Sequence, residues 1–197
     1  MAPERTTQVV IPVKAFGRAK ARLAPALSLT ERADLARQMA TGVVAAAGAA
    51  RTWVVCDDRE VAAWADSLGC SLSWQPGRGL NGAVAAATTE RFSSGAARVV
   101  VIHSDLPLVR SLAALEADDD AIVLAPDRHN SGTNAVSTPT SAFCFAYGPG
   151  SFSRHLDEAA RLDLPMSIVR DRSLGWDVDE PADLSVFGVG AGTPTPG

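Results

Sequence analysis

Three aspartates, Asp105, Asp177 and Asp179, are the residues of this chain best suited to chemistry. Asp177 and Asp179 stand two apart in Trp176-Asp-Val-Asp-Glu-Pro181. In an extended segment that spacing points both carboxylates to one side while Val178 faces the other. Two like charges held close are costly without a cation. Joined by Asp105 they form a set of hard oxygen donors with no paired His or Cys, which selects Mg²⁺ or Mn²⁺. Asp179 as an N-cap before Pro181 is compatible with that role. Near the amino terminus Lys14, Arg18, Lys20 and Arg22 place four cations within nine residues, interrupted by Gly17. The run reads as an anion-binding loop or as a solvated basic face. Gly17 and the run's place directly after the first apolar segment weaken the latter, usually the commoner case, because α/β folds put phosphate groups there.

The elements that must position these residues are legible as alternating apolar runs. Val99-Val-Val-Ile102 reads as a central parallel strand buried on both faces, and Asp105 follows its carboxyl end, where open α/β sheets bind ligands. Asp105 is there a metal ligand or the cap of a helical turn at Pro107. Gln8–Val13 reads as the first strand and Thr52–Cys56 as the second. Ser71–Gln75 reads as a third, with Leu72 and Trp74 alternating against polar neighbours. Ser28-Leu-Thr-Glu31 matches a capping box ahead of a long helix carrying Leu29, Ala33, Ala36, Ala40, Val43 and Ala47. Asp57-Asp58 can cap a helix bearing Val61, Ala65 and Leu68, closed by Gly69. The order β-α-β-α-β implies parallel strands and right-handed crossovers.

Gly77-Arg-Gly-Leu-Asn-Gly82 opens an Ala-rich helix and matches G-x-G-x-x-G, so a dinucleotide-binding oxidoreductase must be weighed. The turn follows the third strand rather than the first, which counts against it. Asn81 offers donor and acceptor to a base or ribose edge, or is a plain N-cap. Ala121–Pro126 reads as a strand, and 127–135 as a polar loop in which Arg128, Ser131, Thr133 and Asn134 concentrate anion-binding donors. Ala142–Tyr147 reads as a further strand. Ser151, after Gly148-Pro-Gly150, opens a helix whose free N–H groups suit an anion, and His155 one turn on reads as a hydrogen-bonding neighbour rather than an acid or base.

With 197 residues the chain can form one sizeable core, expected over 8–187 between a loose amino terminus (1–7) and a loose tail (188–197). A net charge of −4 and a pI near 5.3 give no footprint for nucleic acid or an anionic membrane. Neither a signal peptide nor a membrane span is evident, so a cytoplasmic protein is expected. Cys56, Cys70 and Cys144 share no ligand spacing and predict neither a disulfide framework nor a zinc site.

Taken in order, these pieces resemble the guanylyltransferases of coenzyme F-420 biosynthesis, which act on phosphoenolpyruvate or 2-phospho-L-lactate. The pieces are Lys14 with Lys20 and Arg22-Leu, Gly79-Leu-Asn81, Ser104-Asp105-Leu-Pro, Asp127-Arg with Gly132-Thr133-Asn134, Ser151-Phe with His155, and Asp177-Val-Asp179-Glu-Pro. The likeness runs from about Val9 to Leu184. It implies a single-domain α/β nucleotidyltransferase, a glycosyltransferase-A-like three-layer sandwich with a mostly parallel mixed sheet. By resemblance Asp105, Asp177 and Asp179 would hold Mg²⁺. Thr133, Gly148 and Ser151, with Arg128 and Asn134, would bind the phospho-acid. Lys14, Lys20, Arg22, Gly79 and Asn81 would face GTP, and Lys14 and Lys20 would join Asp105 in catalysis. A downstream deazaflavin transferase would receive the product, and the oligomeric state, a homodimer included, stays open. The chain departs from the family in having His103-Ser104 where a Gly usually precedes the central Asp, and in a short 111–120 segment. Both bear on which phospho-acid is chosen, with 3-phospho-D-glycerate a third option. Sugar transferases and other nucleotidyltransferases of the same architecture are the nearest rivals.

Overall fold

A computed structural model describes residues 6–116, 118 and 120–187. Of the loose ends expected at 1–7 and 188–197, residues 1–5 and 188–197 lie outside the described residues, and Thr7 already belongs to the first strand. Seven strands form one sheet: β1 (Thr7–Pro12), β2 (Thr52–Cys56), β3 (Ser71–Trp74), β4 (Arg98–Ile102), β5 (Ile122–Pro126), β6 (Thr133–Thr138) and β7 (Met166–Ile168). Their order is β3-β2-β1-β4-β6-β5-β7. β4 is thus the middle strand and all five of its residues are buried. β6 alone runs against its neighbours, antiparallel to both β4 and β5.

Helices cover both faces. On one, α1 (Leu29–Ala47) and α2 (Arg59–Ser67) pack on Val9, Ile11, Val54, Val100 and Ile102. On the other, α3 (Gly79–Ser93) and α4 (Ser151–Arg161) pack on Val10, Val99, Val101, Leu124 and Val136. A single turn, α5 (Arg172–Gly175), follows β7. α1 starts where the capping box places it, with Ser28 and Glu31 bonded reciprocally, and Asp58 alone caps α2, accepting from the Glu60 and Val61 N–H groups.

Four expectations are corrected. Ala142–Tyr147 is not a strand, although its alternating Phe143, Phe145 and Tyr147 are buried as a strand's would be. They pack directly under the sheet, where side-chain burial alone gives the same period of two. Thr133–Thr138, whose first residues were assigned to a loop, is β6: its backbone pairs on both sides, and its polar side chains find partners in His155, the Leu174 carbonyl and Arg98. Leu72 and Trp74 lie on the open face of the edge strand β3 while Ser73 points inward, and Leu29 at the start of α1 is exposed. β1 begins at Thr7, one residue before the expected boundary.

Candidate active site

From β1 the chain crosses by α1 to β2 on one side, and it returns from β3 by α3 to β4 on the other. The carboxyl ends of β1 and β4 are therefore a topological switch point, the place where an open α/β sheet leaves a crevice. A cleft of about 530 Å³, within the range of small-molecule sites, opens there. It is lined by Lys14 and Arg18 after β1, Cys56 and Asp57 after β2, Gln75 after β3, Gly79 and Leu80 on α3, and His103 to Asp105 after β4. A second hollow shares Lys14, Arg18, Ser104 and Asp105 and continues past Lys20 and Arg22 to Asp179.

Lys20 is the point on which this site turns. Its ammonium donates to Asp105 Oδ2 at 2.6 Å and to Asp179 Oδ1 at 3.0 Å. Three segments, 85 and 159 residues apart, thereby meet at one cation. Lys20 has φ 53°, a left-handed conformation outside glycine's habit that costs on the order of 1 kcal/mol. Arg22 approaches Asp179 from solvent at 3.9 Å. Burial would lower the Lys20 pKa, but the two carboxylates raise it. Burial would likewise raise Asp105, but the Lys20 ammonium and His103 hold it below the usual carboxylate range. Asp105 Oδ1 is sealed from water with no hydrogen-bond partner among the described residues.

Packing explains how the distant segments arrive. Leu23, at the end of the basic loop, and Val178, between the two aspartates, are fully buried together with Met39 of α1, with Trp176 and Leu184 packed around them. Val178 faces the core and the flanking aspartates face out, as the two-residue spacing predicted. The segment is also strapped. Arg128 donates to the Asp177 carbonyl at 2.9 Å and to the Asp183 carboxylate at 2.5 Å, and its guanidinium lies 4.8 Å from the Trp176 ring centre. Asp183, 4% exposed, accepts in turn from the Asp179 and Glu180 N–H groups. Asp183 was assigned no role from the sequence. Its spacing three and four residues past Glu180 and Asp179 was the available sign.

Asp177 comes within electrostatic reach of the other two aspartates. Burial first, then Asp105 and Asp179, raise its pKa. Its carboxylate nevertheless lies 3.8 Å from Arg128, and no group of three or more His, Cys, Asp or Glu among the described residues stands close enough to hold a metal ion as placed. In its place, the Lys20 ammonium serves two of the three carboxylates. The donor set still suits a hard cation, with hard oxygens throughout and one buried Asp105 oxygen unclaimed.

The other expected site residues divide. Lys14, Lys20, Arg22, Gly79 and Asp105 line the two hollows, and Gly79, at φ 62°, adopts the left-handed turn needed to start α3 beside the cleft. Asn81 does present donor and acceptor, but to main chain: its amide accepts from the Tyr147 N–H at 2.7 Å and donates to the Tyr147 carbonyl at 3.2 Å. It pins the 142–150 segment to α3. Arg128 is the strap described above, and Asn134 is buried and donates to the Leu174 carbonyl at 2.9 Å. Thr133 and Ser151 are buried against each other, with the Thr133 N–H donating to Ser151 Oγ at 3.0 Å. Gly148, at φ 122°, stands near Arg154. His155 is fully buried and, as expected, a hydrogen-bonding neighbour. Its Nε2 accepts from the Ala146 N–H, so Nδ1 carries the proton and faces Thr133 Oγ1 at 2.9 Å.

The sheet order and the cleft at its switch point define a nucleotidyltransferase fold. Similar solved structures include a candidate nucleotide-diphospho-sugar transferase from Desulfovibrio desulfuricans G20 (TM-score 0.74, 19% identity, 92% of this chain and 85% of that one). Another is a nucleotidyl transferase from Methanothermobacter thermautotrophicus (TM-score 0.62, 11% identity, 93% and 96%). At those identities the likeness speaks for the fold alone. The sequence goes further, because residues 7–195 match the family described as "Guanylyl transferase CofC like". The chain is 38% identical over 188 residues to the phosphoenolpyruvate guanylyltransferase of Sphaerobacter thermophilus, covering 91% of each. It is 34% identical over 185 residues to the 2-phospho-L-lactate guanylyltransferase of Methanothermobacter thermautotrophicus, covering 90% of this chain and 82% of that relative. The chain belongs to this guanylyltransferase family.

Proposed function

We propose that this protein transfers GMP from GTP to a three-carbon phospho-acid, phosphoenolpyruvate first among them, with release of pyrophosphate, as a step in coenzyme F-420 biosynthesis. The observation that carries the reading is the meeting of Asp105, Asp179 and Lys20 at the carboxyl end of the central strand, inside a cleft rimmed by Lys14, Arg18 and Arg22. A phosphate oxygen of the acceptor attacks the α-phosphorus of GTP, the bond to the β-phosphate oxygen breaks, and pyrophosphate leaves with that electron pair. A phosphate monoester is already an anion at neutral pH, its second pKa lying near 6, so no side chain has to remove a proton.

The protein's task is to bring two anions together. Lys14, Arg18 and Arg22 offset the triphosphate charge, and Lys20, held by two carboxylates, presents a fixed ammonium where the phosphates meet. Asp105, Asp177 and Asp179 would hold Mg²⁺ only after Asp105 and Asp179 turn from Lys20 and Asp177 from Arg128, and the ion would then supply further charge neutralisation at the phosphates. Thr133, Gly148 and Ser151 would stand beside the acceptor, as the family likeness implies; Thr133 and Ser151 are themselves buried and held by hydrogen bonds running from His155 through Thr133 to Ser151.

The test is pyrophosphate release with GTP, ATP, CTP and UTP, each against phosphoenolpyruvate, 2-phospho-L-lactate and 3-phospho-D-glycerate in the presence of Mg²⁺. GTP with one of the three is expected to give turnover. Turnover confined to another nucleotide would sink the reading.

A further inference from the structure

The cleft has two chemically different ends. Around Asp105 stand Lys14, Arg18, Lys20 and Arg22, where a triphosphate's charge must go. At the far end, beyond the carboxyl ends of β2 and β3, the polar side chains are Asp57 and Gln75. They are lateral neighbours. Cys56 pairs with Trp74 in the ladder, and the Gln75 N–H donates to the Cys56 carbonyl at 3.0 Å. A nucleotide laid across the strand ends with its phosphates among the cations therefore carries its base to Asp57 and Gln75.

Both residues are left facing that base as hydrogen-bond acceptors. Asp58 takes the capping position of α2, so Asp57 is exposed on the cleft wall with its carboxylate uncommitted among the described residues. Gln75 is 9% exposed, and its amide nitrogen donates to Glu90 Oε1 and to Ser73 Oγ, each at 3.1 Å. A carboxylate only accepts, so Glu90 dictates which end of the amide faces it. The Ser73 hydroxyl donates to the other Glu90 oxygen at 3.2 Å, which leaves its Oγ to accept from Gln75. Both amide hydrogens are thus spent inward. Oε1 is the atom that remains, on a residue that lines the cleft and is not fully closed off from it. Leu80, 42% exposed on the same wall, offers an apolar surface to the flat of a ring.

Resting on the guanylyltransferase reading, we infer that Asp57 and Gln75 are the residues that select guanine. Asp57 accepts from the ring N1–H and the exocyclic N2 amino group, and Gln75 Oε1 accepts from that amino group's second hydrogen. Guanine alone among the four common bases sets two donor groups side by side on its pairing edge. Adenine and cytosine put an acceptor next to their amino group, and uracil flanks its single N–H with carbonyls. Glu90 is a positioning residue that acts through Gln75.

The experiment measures kcat/KM and calorimetric binding for GTP, inosine triphosphate, which lacks the 2-amino group, and xanthosine triphosphate, which carries a carbonyl there. Wild type is expected to favour GTP over inosine triphosphate by on the order of tenfold or more, the range of a charge-assisted hydrogen bond. Gln75→Leu should shrink that ratio. Asp57→Asn, at an exposed position that does not endanger folding, should weaken GTP about tenfold or more and make xanthosine triphosphate the better substrate, because the new amide donates to its carbonyl. An unchanged GTP-to-inosine ratio in Gln75→Leu, or GTP still preferred to xanthosine triphosphate by Asp57→Asn, would overturn the assignment while leaving the guanylyltransferase reading intact. A wild type indifferent among GTP, ATP, CTP and UTP would overturn both.

Discussion

Removing the Lys20 ammonium and removing the Asp105 charge should have very different structural costs and a similar catalytic one. At 2.6 Å and an effective dielectric of about 20, the Lys20–Asp105 attraction is about 6 kcal/mol before either group's desolvation is charged against it. The Lys20 side chain is 8% exposed and that of Asp105 24%. Lys20→Met therefore strands a largely buried carboxylate, at a cost of about 3 kcal/mol. The half-exposed Asp179 adds less than about 1 kcal/mol. For a chain of this size that total corresponds to a fall in Tm of about 6–16 °C. Asp105→Asn keeps the shape, removes the charge and leaves Lys20 its bond to Asp179, so its cost is about 1 kcal/mol. Both variants should lose on the order of 10²-fold or more in kcat, as when a principal electrostatic stabiliser is deleted. Calorimetric melting and pyrophosphate release on the same preparations decide it. A Lys20→Met protein that melts with wild type, or a folded Asp105→Asn protein that turns over near the wild-type rate, would refute the reasoning.

Stability should fall in acid because of His155. Burial first, then Arg154 and His103, bring its pKa from 6.5 down to about 4, with Glu158 acting weakly the other way. The unfolded chain takes up this proton as pH drops through 6.5, whereas the folded protein does so only near 4. The contribution is complete above the upper value and is lost across that window, about 3 kcal/mol in all. Urea unfolding at several pH values should show His155→Gln with a shallower slope between those limits, and an unchanged slope would remove His155 as the cause. Asn81→Ala should cost about 1 kcal/mol for two lost bonds to partly water-accessible main chain. It should also raise KM for the phospho-acid more than it lowers kcat, because the 142–150 segment loses its pin. Steady-state kinetics showing a pure kcat loss would instead return Asn81 to the reacting nucleotide.

Several features of this protein were already decided along the chain. The capping box at Ser28–Glu31, the unbroken Val99–Ile102 run and the Asp-Val-Asp spacing each depend on neighbours within a turn or a strand, so their meaning survives without tertiary context. The family likeness is of the same kind, because ordered motifs persist in sequence. What only the fold decided is which partner each polar group finds. Asn81, Arg128 and Asn134 carry donors suited to a ligand, and they are spent instead on main chain, and for Arg128 also on the Asp183 carboxylate, that tertiary packing brings alongside. The Phe143-Cys-Phe-Ala-Tyr147 alternation has a strand's period because a segment lying under a sheet buries every second side chain as a strand does. Lys20 between Asp105 and Asp179 is the clearest instance. Nothing within ten residues of any of the three signals the others, and they meet because Leu23, Met39 and Val178 exclude water together and carry Lys20 and Asp179 to the end of the sheet where Asp105 follows β4.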